Sequence, residues 1–319
     1  MGLFDKIRRH AAVARGDFDT MFKDVEIPPL PAAVSQLIGE INKPDPDIDQ
    51  LVKLISASPE IAAKTIQTVN SSLFSPRLPV ADVKRAVTLL GLKNIRSIAL
   101  AYSTMDALPK PPGKLFDHSA FWSDSLLQAT LARALAKKKF SSQLEEVFTA
   151  SLLADLAIPV LLCVWRDYYE PVIGEWNQSI SHLSVIEREN FGWDHAQAGA
   201  WIIQSWEFPE EMVCYLGLHN ISMDQIKEAG LEDTIVVPMA IAAMAPSVLK
   251  PDSDFSKRTF ESAVEWLAID RQEFVECINE VKESLGEILE MFGLSDRDAS
   301  RVLDDLIAVS QDPDYAEAV

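Results

Sequence analysis

The sequence predicts an all-α fold, and three observations carry that prediction. Apolar residues recur at three- and four-residue spacings in one segment after another. Helix-start residues stand directly before several of those stripes. Glycine is scarce, at 12 in 319 residues, and no segment reads convincingly as a strand.

The elements follow in order. In residues 1–21, Leu3, Phe4 and Ile7 share a helical face opposite Arg8 and Arg9. This amphipathic segment is expected to dock on the domain, with weak membrane-surface contact through residues 1–16 as the alternative. Asp45-Pro46 reads as an N-cap with a first-turn proline, followed by Ile48, Leu51, Val52 and Ile55 on one face. Ser58-Pro59-Glu60 repeats the signal before Ala62, Ile66 and Val69, and Asn70-Ser71-Ser72 stops that helix. Val83, Ala86, Val87 and Leu90 form the next stripe, closed by Gly91. Leu92, Ile95, Ala99 and Tyr102 form another. The extended turn Leu78-Pro79-Val80 reads as structural.

Pro109-Lys110-Pro111-Pro112-Gly113 cannot continue a helix, so a lobe boundary belongs there. Residues 22–112 are then a first lobe and 113–250 a second. Helical stripes continue at Leu127, Leu131 and Ala134 and at Val147, Ser151 and Ala154. Pro159 to Trp165 is apolar all round and reads as a buried helix, with Cys163 as packing. Thr234 to Leu249 is short for a membrane span and holds Pro238 and Pro246, which makes it a core helix. In residues 251–319, an acidic extension, Phe274, Ile278, Val281, Leu285 and Ile288 mark a long helix ended by Gly293. Ala299, Val302, Leu303 and Leu306 mark a last one. The heptad spacing covers too few turns for a coiled coil, so packing on the domain is expected.

Charge narrows the partners. Lys and Arg total 29 against 48 Asp and Glu, a net charge of −19, and a surface this acidic repels phosphate backbones. Nucleic acid is therefore not an expected partner. Three widely spaced cysteines give neither a disulfide framework nor a CxxC zinc site, and fit a cytoplasmic protein. No secretory signal is legible. Phosphate-binding loops, the G-x-S-x-G elbow and the H-E-x-x-H metalloprotease motif are missing from the sequence.

The candidate chemistry is sparse. His10 and His118 read as solvated, while His182, His195 and His219 lie in helix-rich segments. Asp155 stands in a run of apolar residues, and a carboxylate there needs a partner. From local sequence, capping the helix near Pro159 is the favoured role.

Several motifs together resemble the HDOD family, the HD-related output domain of bacterial signalling proteins. They are Ile27-Pro28-Pro29-Leu30-Pro31, Ser58-Pro59-Glu60-Ile61-Ala62, Val69-Asn70-Ser71-Ser72 and Ala86-Val87-Thr88-Leu89-Leu90-Gly91-Leu92 in the first lobe. Phe121-Trp122, Leu152-Leu153-Ala154-Asp155, Glu187-Arg188-Glu189, Asp194-His195-Ala196 through Gly199, and Trp206 through Pro209 continue it in the second. The resemblance runs from about residue 22 to about 250 and implies a two-lobe helical domain.

HDOD domains are similar to HD-type metal phosphohydrolases, which implies a set of positions to inspect. Asp124 stands where the first ligand His aligns. Ala154 replaces the His of the His-Asp pair, Asp155 keeps the Asp, and Ile158 replaces the lysine that follows. His195 and His219 match, Asn220 replaces a second adjacent His, and Ile241 aligns with the last Asp. With ligands lost at Ala154 and Ile241, the resemblance implies a vestigial pocket without cofactor. Asp124, Asp155, His195 and His219 are expected to form a buried hydrogen-bonded network, or at most to hold one divalent metal.

The leading expectation is a non-catalytic signalling module that works through contacts with an unidentified signalling protein. The alternative is a divergent metal-dependent phosphohydrolase acting on a nucleotide or other phosphoester. A sensor of a phosphate-bearing ligand ranks lower, because Arg188 is the nearest cation in sequence. The sequence leaves the oligomeric state open.

Overall fold

A computed structural model describes residues 18, 27–74, 76–112, 116–248, 250, 253–295 and 297–312. The amphipathic segment at 1–16, with His10, and Gly113 of the proline-rich break lie outside the described residues. The fold is all-α, with no sheet among the described residues.

The first lobe comprises α1 (Ala32–Ile41), α2 (Ile48–Ala57), α3 (Pro59–Asn70), α4 (Val83–Leu90) and α5 (Leu92–Ala107). Asp47, rather than Asp45, caps α2, its carboxylate accepting from the backbone N–H groups of Asp49 and Gln50. Pro46 therefore precedes the helix instead of opening it, and Asp47 has the extended backbone an N-cap needs. Ser58 caps α3 with Pro59 at its first position, as expected. Asn70 ends α3 and clamps the Leu78-Pro79-Val80 turn, donating to the Val80 carbonyl (2.8 Å) and accepting from the Val80 N–H (2.7 Å). Gly91, with φ +83, separates α4 from α5.

The second lobe is built round α6 (His118–Ala136), capped by Asp117 and buried along nearly its whole length. It packs on α7 (Leu144–Leu152), on α14 (Val236–Met244) and on α16 (Arg271–Met291). Between these run α8 (Ala157–Val164), α9 (Arg166–Gln178), α10 (Leu183–Phe191), α11 (His195–Ser205), α12 (Glu210–Leu218) and α13 (Met223–Ala229). The apolar run Pro159–Trp165 is the buried α8, and the Thr234–Leu249 run holds the buried α14. Leu144–Val164 is long and apolar enough to cross a membrane, yet 83% of its most apolar window is buried inside the fold.

The C-terminal helices are α15 (Ser253–Leu267), α16 and α17 (Arg297–Ser310). Phe274, Ile278, Val281, Leu285 and Ile288 are all buried, so the heptad-like seam of α16 faces α6 and α17 within the chain. Glu287 of α16 also accepts from the Ser72 N–H at 2.8 Å, joining the extension to the first lobe. One apolar core runs continuously from the first lobe to α17.

Candidate functional site

α11 and α12 lie side by side, and the start of one meets the end of the other. The close approach depends on Gly217, where a Cβ would stand 3.1 Å from that of Ala200. His195 is the first residue of α11 and His219 the C-cap of α12, so their rings come within 5.4 Å. Asp155 reaches them from the turn that joins α7 to α8.

Asp155 is not a helix cap. The N-cap of α8 is Leu156, which makes no side-chain cap, and Asp155 contributes only its carbonyl, to the Ile158 N–H. Its Oδ1 instead lies 3.1 Å from His195 Nε2 and 3.2 Å from His219 Nε2. Burial pushes the Asp155 carboxyl upward, but the two imidazoles outweigh it and hold it well below the usual carboxylate range.

Each imidazole is fixed from behind. His219 Nδ1 is 2.7 Å from the Leu216 carbonyl, which can only accept, so Nδ1 carries a proton. His195 Nδ1 is 2.6 Å from Glu187 Oε2, which also accepts from the His195 N–H at 2.9 Å. Tyr169 donates to the other Glu187 oxygen. Burial lowers the affinity of His195 for a second proton, yet Glu187 and Asp155 together raise its pKa well above the ordinary imidazole value. Both Nε2 atoms thus face one carboxylate oxygen. Asn220 closes the side, its Nδ2 placed 2.8 Å from His195 Nε2.

The expected four-residue network does not form. Asp124, on α6, accepts from the Val248 N–H at 2.9 Å and from the side chains of Ser247 and Gln128. It sits in the same cleft as Asp155 without bonding to either histidine. Burial, the largest influence, pushes its carboxyl up to about 7. Ala154 and Ile241 are buried, and neither lines the cleft. Ile158 does line it.

Four groups escaped the sequence reading or were misjudged. Glu187, noted only within the Glu187-Arg188-Glu189 motif and given no role there, is fully buried. It follows Leu183 by four and Ile186 by one, on the buried face of α10, and that spacing was the available signal. Lys250 also lines the cleft, its ammonium bonded to the Trp176 and Ser179 carbonyls. Arg188, the expected nearest cation, is engaged by the Asp194 carboxylate and the Asn220 carbonyl. His118 is not free in solvent; it opens α6 and accepts from Trp122 Nε1 at 3.1 Å.

An all-helical body with a carboxylate–imidazole cluster at the meeting of α7, α11 and α12 defines the class of protein. The chain belongs to the HDOD domain family, whose profile matches residues 27–221. Its fold is similar to that of an HDOD domain protein of unknown function from Geobacter sulfurreducens (TM-score 0.59, 20% identity, 94% of this chain and 97% of that one). It is also similar to a "putative phosphohydrolase" from Shewanella amazonensis SB2B (TM-score 0.59, 22% identity, 92% and 97%). A "putative signal transduction protein" from Marinobacter aquaeolei VT8 shares the fold as well (TM-score 0.60, 19% identity, 91% and 64%). An uncharacterized protein of Treponema pallidum (strain Nichols) is 21% identical over 196 residues, 61% of this chain; the chain spans 38% of that protein's length.

Proposed function

We propose that this protein is a non-catalytic signalling module that acts through contacts with another signalling protein. The observation that carries the reading is the state of two ligand positions. Ala154 offers only a methyl group, and Ile241 is a fully buried apolar side chain. Asp124, where the first ligand His aligns, accepts from Val248, Ser247 and Gln128. A hydrolytic metal centre needs direct ligands at those positions for affinity and for activating water.

Hydrolysis is the direct test. Protein incubated with manganese, iron or zinc is assayed against bis(p-nitrophenyl) phosphate, mononucleotides and cyclic dinucleotides. Turnover no higher than that of Asp155→Ala is expected. Metal-dependent turnover that Asp155→Ala abolishes would establish the divergent phosphohydrolase instead.

One observation favours a second reading, a single bound divalent ion. Asp155, His195 and His219 place one ligand atom each within 4.8 Å of one another. Both Nδ1 protons are held by acceptors, the arrangement that aims Nε2 lone pairs at a metal. These three residues fit one ion, which would supply Lewis-acid polarisation of an oxygen ligand. Elemental analysis after metal incubation tests it: stoichiometric metal, lost in His195→Ala, supports the ion.

The proposed location is the cytoplasm, supported by the three widely spaced cysteines Cys163, Cys214 and Cys277. The net charge of −19 argues against nucleic acid as the partner. Membrane contact through residues 1–16 stays a proposal, read out by vesicle binding that vanishes when they are deleted.

A further inference from the structure

The cleft beside the cluster encloses ≈1040 Å³, part of it open to solvent. Its walls are aromatic. Phe116 and Phe121 pack at 5.2 Å on one side, while Trp176 and the close pair His182–Phe255 (4.1 Å) also line the space. Buried Asp124 and half-buried Asp155 bring carboxylates into it, and the Asp117 cap also lines it. The cations present are already occupied. His195 lies between Glu187 and Asp155, and the Lys250 ammonium meets two backbone carbonyls and the Trp176 ring, 4.8 Å from its centroid.

Both imidazole Nε2 atoms approach the same oxygen of Asp155, Oδ1, and its Oδ2 makes no hydrogen bond among the described residues. The site as built therefore offers a carboxylate oxygen to an N–H donor, with aromatic side chains around it. An anion entering here would meet the Asp124 and Asp155 carboxylates, while His195 and Lys250 already have partners among the described residues.

We propose that this cleft binds a planar organic cation, an amidinium-type or protonated heteroaromatic group. Its N–H edge would meet Asp124 and Asp155, and its faces would lie against the Phe116, Phe121 and Trp176 rings. The inference rests on the reading that the cleft is not a hydrolytic site, and gives the signalling module an input of defined chemistry. It also inverts the expected phosphate-bearing ligand.

Two isosteric probes of opposite charge test it on the full chain by titration calorimetry. Benzamidinium should bind at one saturable site, at least about tenfold more tightly than benzoate. Asp124→Asn should weaken benzamidinium about fivefold or more, and Phe116→Leu, at a partly exposed ring, about threefold, each with an unfolding midpoint no lower than that of the parent. Should Asp124→Asn fail to fold, Phe116→Leu carries the test. Benzoate binding as well as benzamidinium, neither probe saturating, or benzamidinium binding unchanged in the folded variants would overturn the proposal. Phosphoester turnover would instead overturn the non-catalytic reading, whatever the probes do.

Discussion

Tyr102 on α5 and Tyr169 on α9 are both completely buried, and their hydroxyls meet different company. Tyr102 lies 2.9 Å from the Thr68 hydroxyl, whose own proton goes to the Lys64 carbonyl, so Tyr102 donates to a neutral oxygen. Burial pushes its phenol up to about 12. Tyr169 donates to the Glu187 carboxylate, and burial together with that charge raises its phenol well above the ordinary value. The contrast extends to the lobes. The first buries mostly hydroxyls, Thr65, Thr68, Ser103 and Thr104, and its buried carboxylate among the described residues, Glu40, reaches solvent-exposed Lys43. The second buries Asp124, Glu187, His195 and His219, with half-buried Asp155 between the two imidazoles, and Asp124, Asp155 and His195 line one cleft. Neutral pairs satisfy a core at small electrostatic cost, whereas buried charges are costly unless each has its partner. The second lobe is therefore where single substitutions should have large effects of either sign.

The largest effect is expected at Glu187. Glu187→Ala strips acceptors from the His195 N–H, the His195 ring and the Tyr169 hydroxyl at once. Breaking a buried charged network of this kind costs about 3–5 kcal/mol, and Glu187→Gln should cost less by keeping some of the bonds. Urea unfolding measures both. A loss below about 1 kcal/mol in Glu187→Ala would mean that the second lobe tolerates buried charge no worse than the first tolerates its hydroxyls.

Asp124 should move in the opposite direction. Its folded carboxyl titrates at about 7 against an ordinary 3.8, so the folded chain keeps a proton that the unfolded chain releases. Stability contributed here is present below the lower value and is lost as pH rises through the upper one. Asp124→Asn removes that penalty and should stabilise the protein by on the order of 2–4 kcal/mol at pH 8, with the gain shrinking toward pH 5. Thermal unfolding across that range gives the sign. A gain independent of pH would place the effect in packing rather than in charge.

The same contrast explains what was legible in the sequence. First-lobe helices follow from local signals: Ser58 before Pro59, the Val83–Leu90 stripe, and Gly91 at a positive φ. Even the Asp45-Pro46 error was a shift of two residues along one local pattern. The site is non-local. Asp155 drew notice for its apolar neighbours, but local rules offered only a cap, because its true partners are 40 and 64 residues away. Aligned positions brought His195 and His219 forward, while Glu187 stood in the Glu187-Arg188-Glu189 motif without a role, since nothing in composition separates a buried glutamate from a solvated one. The period of α10 did separate them. Asp124 shows the limit of alignment: it is in the right cleft but bonded to Val248, a contact that depends on how the chain returns after α14.

The smallest effect is the most direct comparison, because the same atom is removed in each lobe. Tyr102→Phe takes away a neutral hydrogen bond and leaves Thr68 still donating to Lys64. That should cost about 0.5–1.5 kcal/mol. Tyr169→Phe deletes a donor to a carboxylate and leaves one Glu187 oxygen buried with that bond unmade. Bonds to charged groups run at about 1.5–3 kcal/mol, so the second substitution should exceed the first by about 1 kcal/mol. Both replacements keep the ring and its packing, so the difference isolates the partner's charge from the loss of the hydroxyl. Chemical denaturation of the two variants beside the parent resolves a gap of that size. Equal losses would show that Glu187 is held well enough by His195 alone to make the Tyr169 hydroxyl redundant.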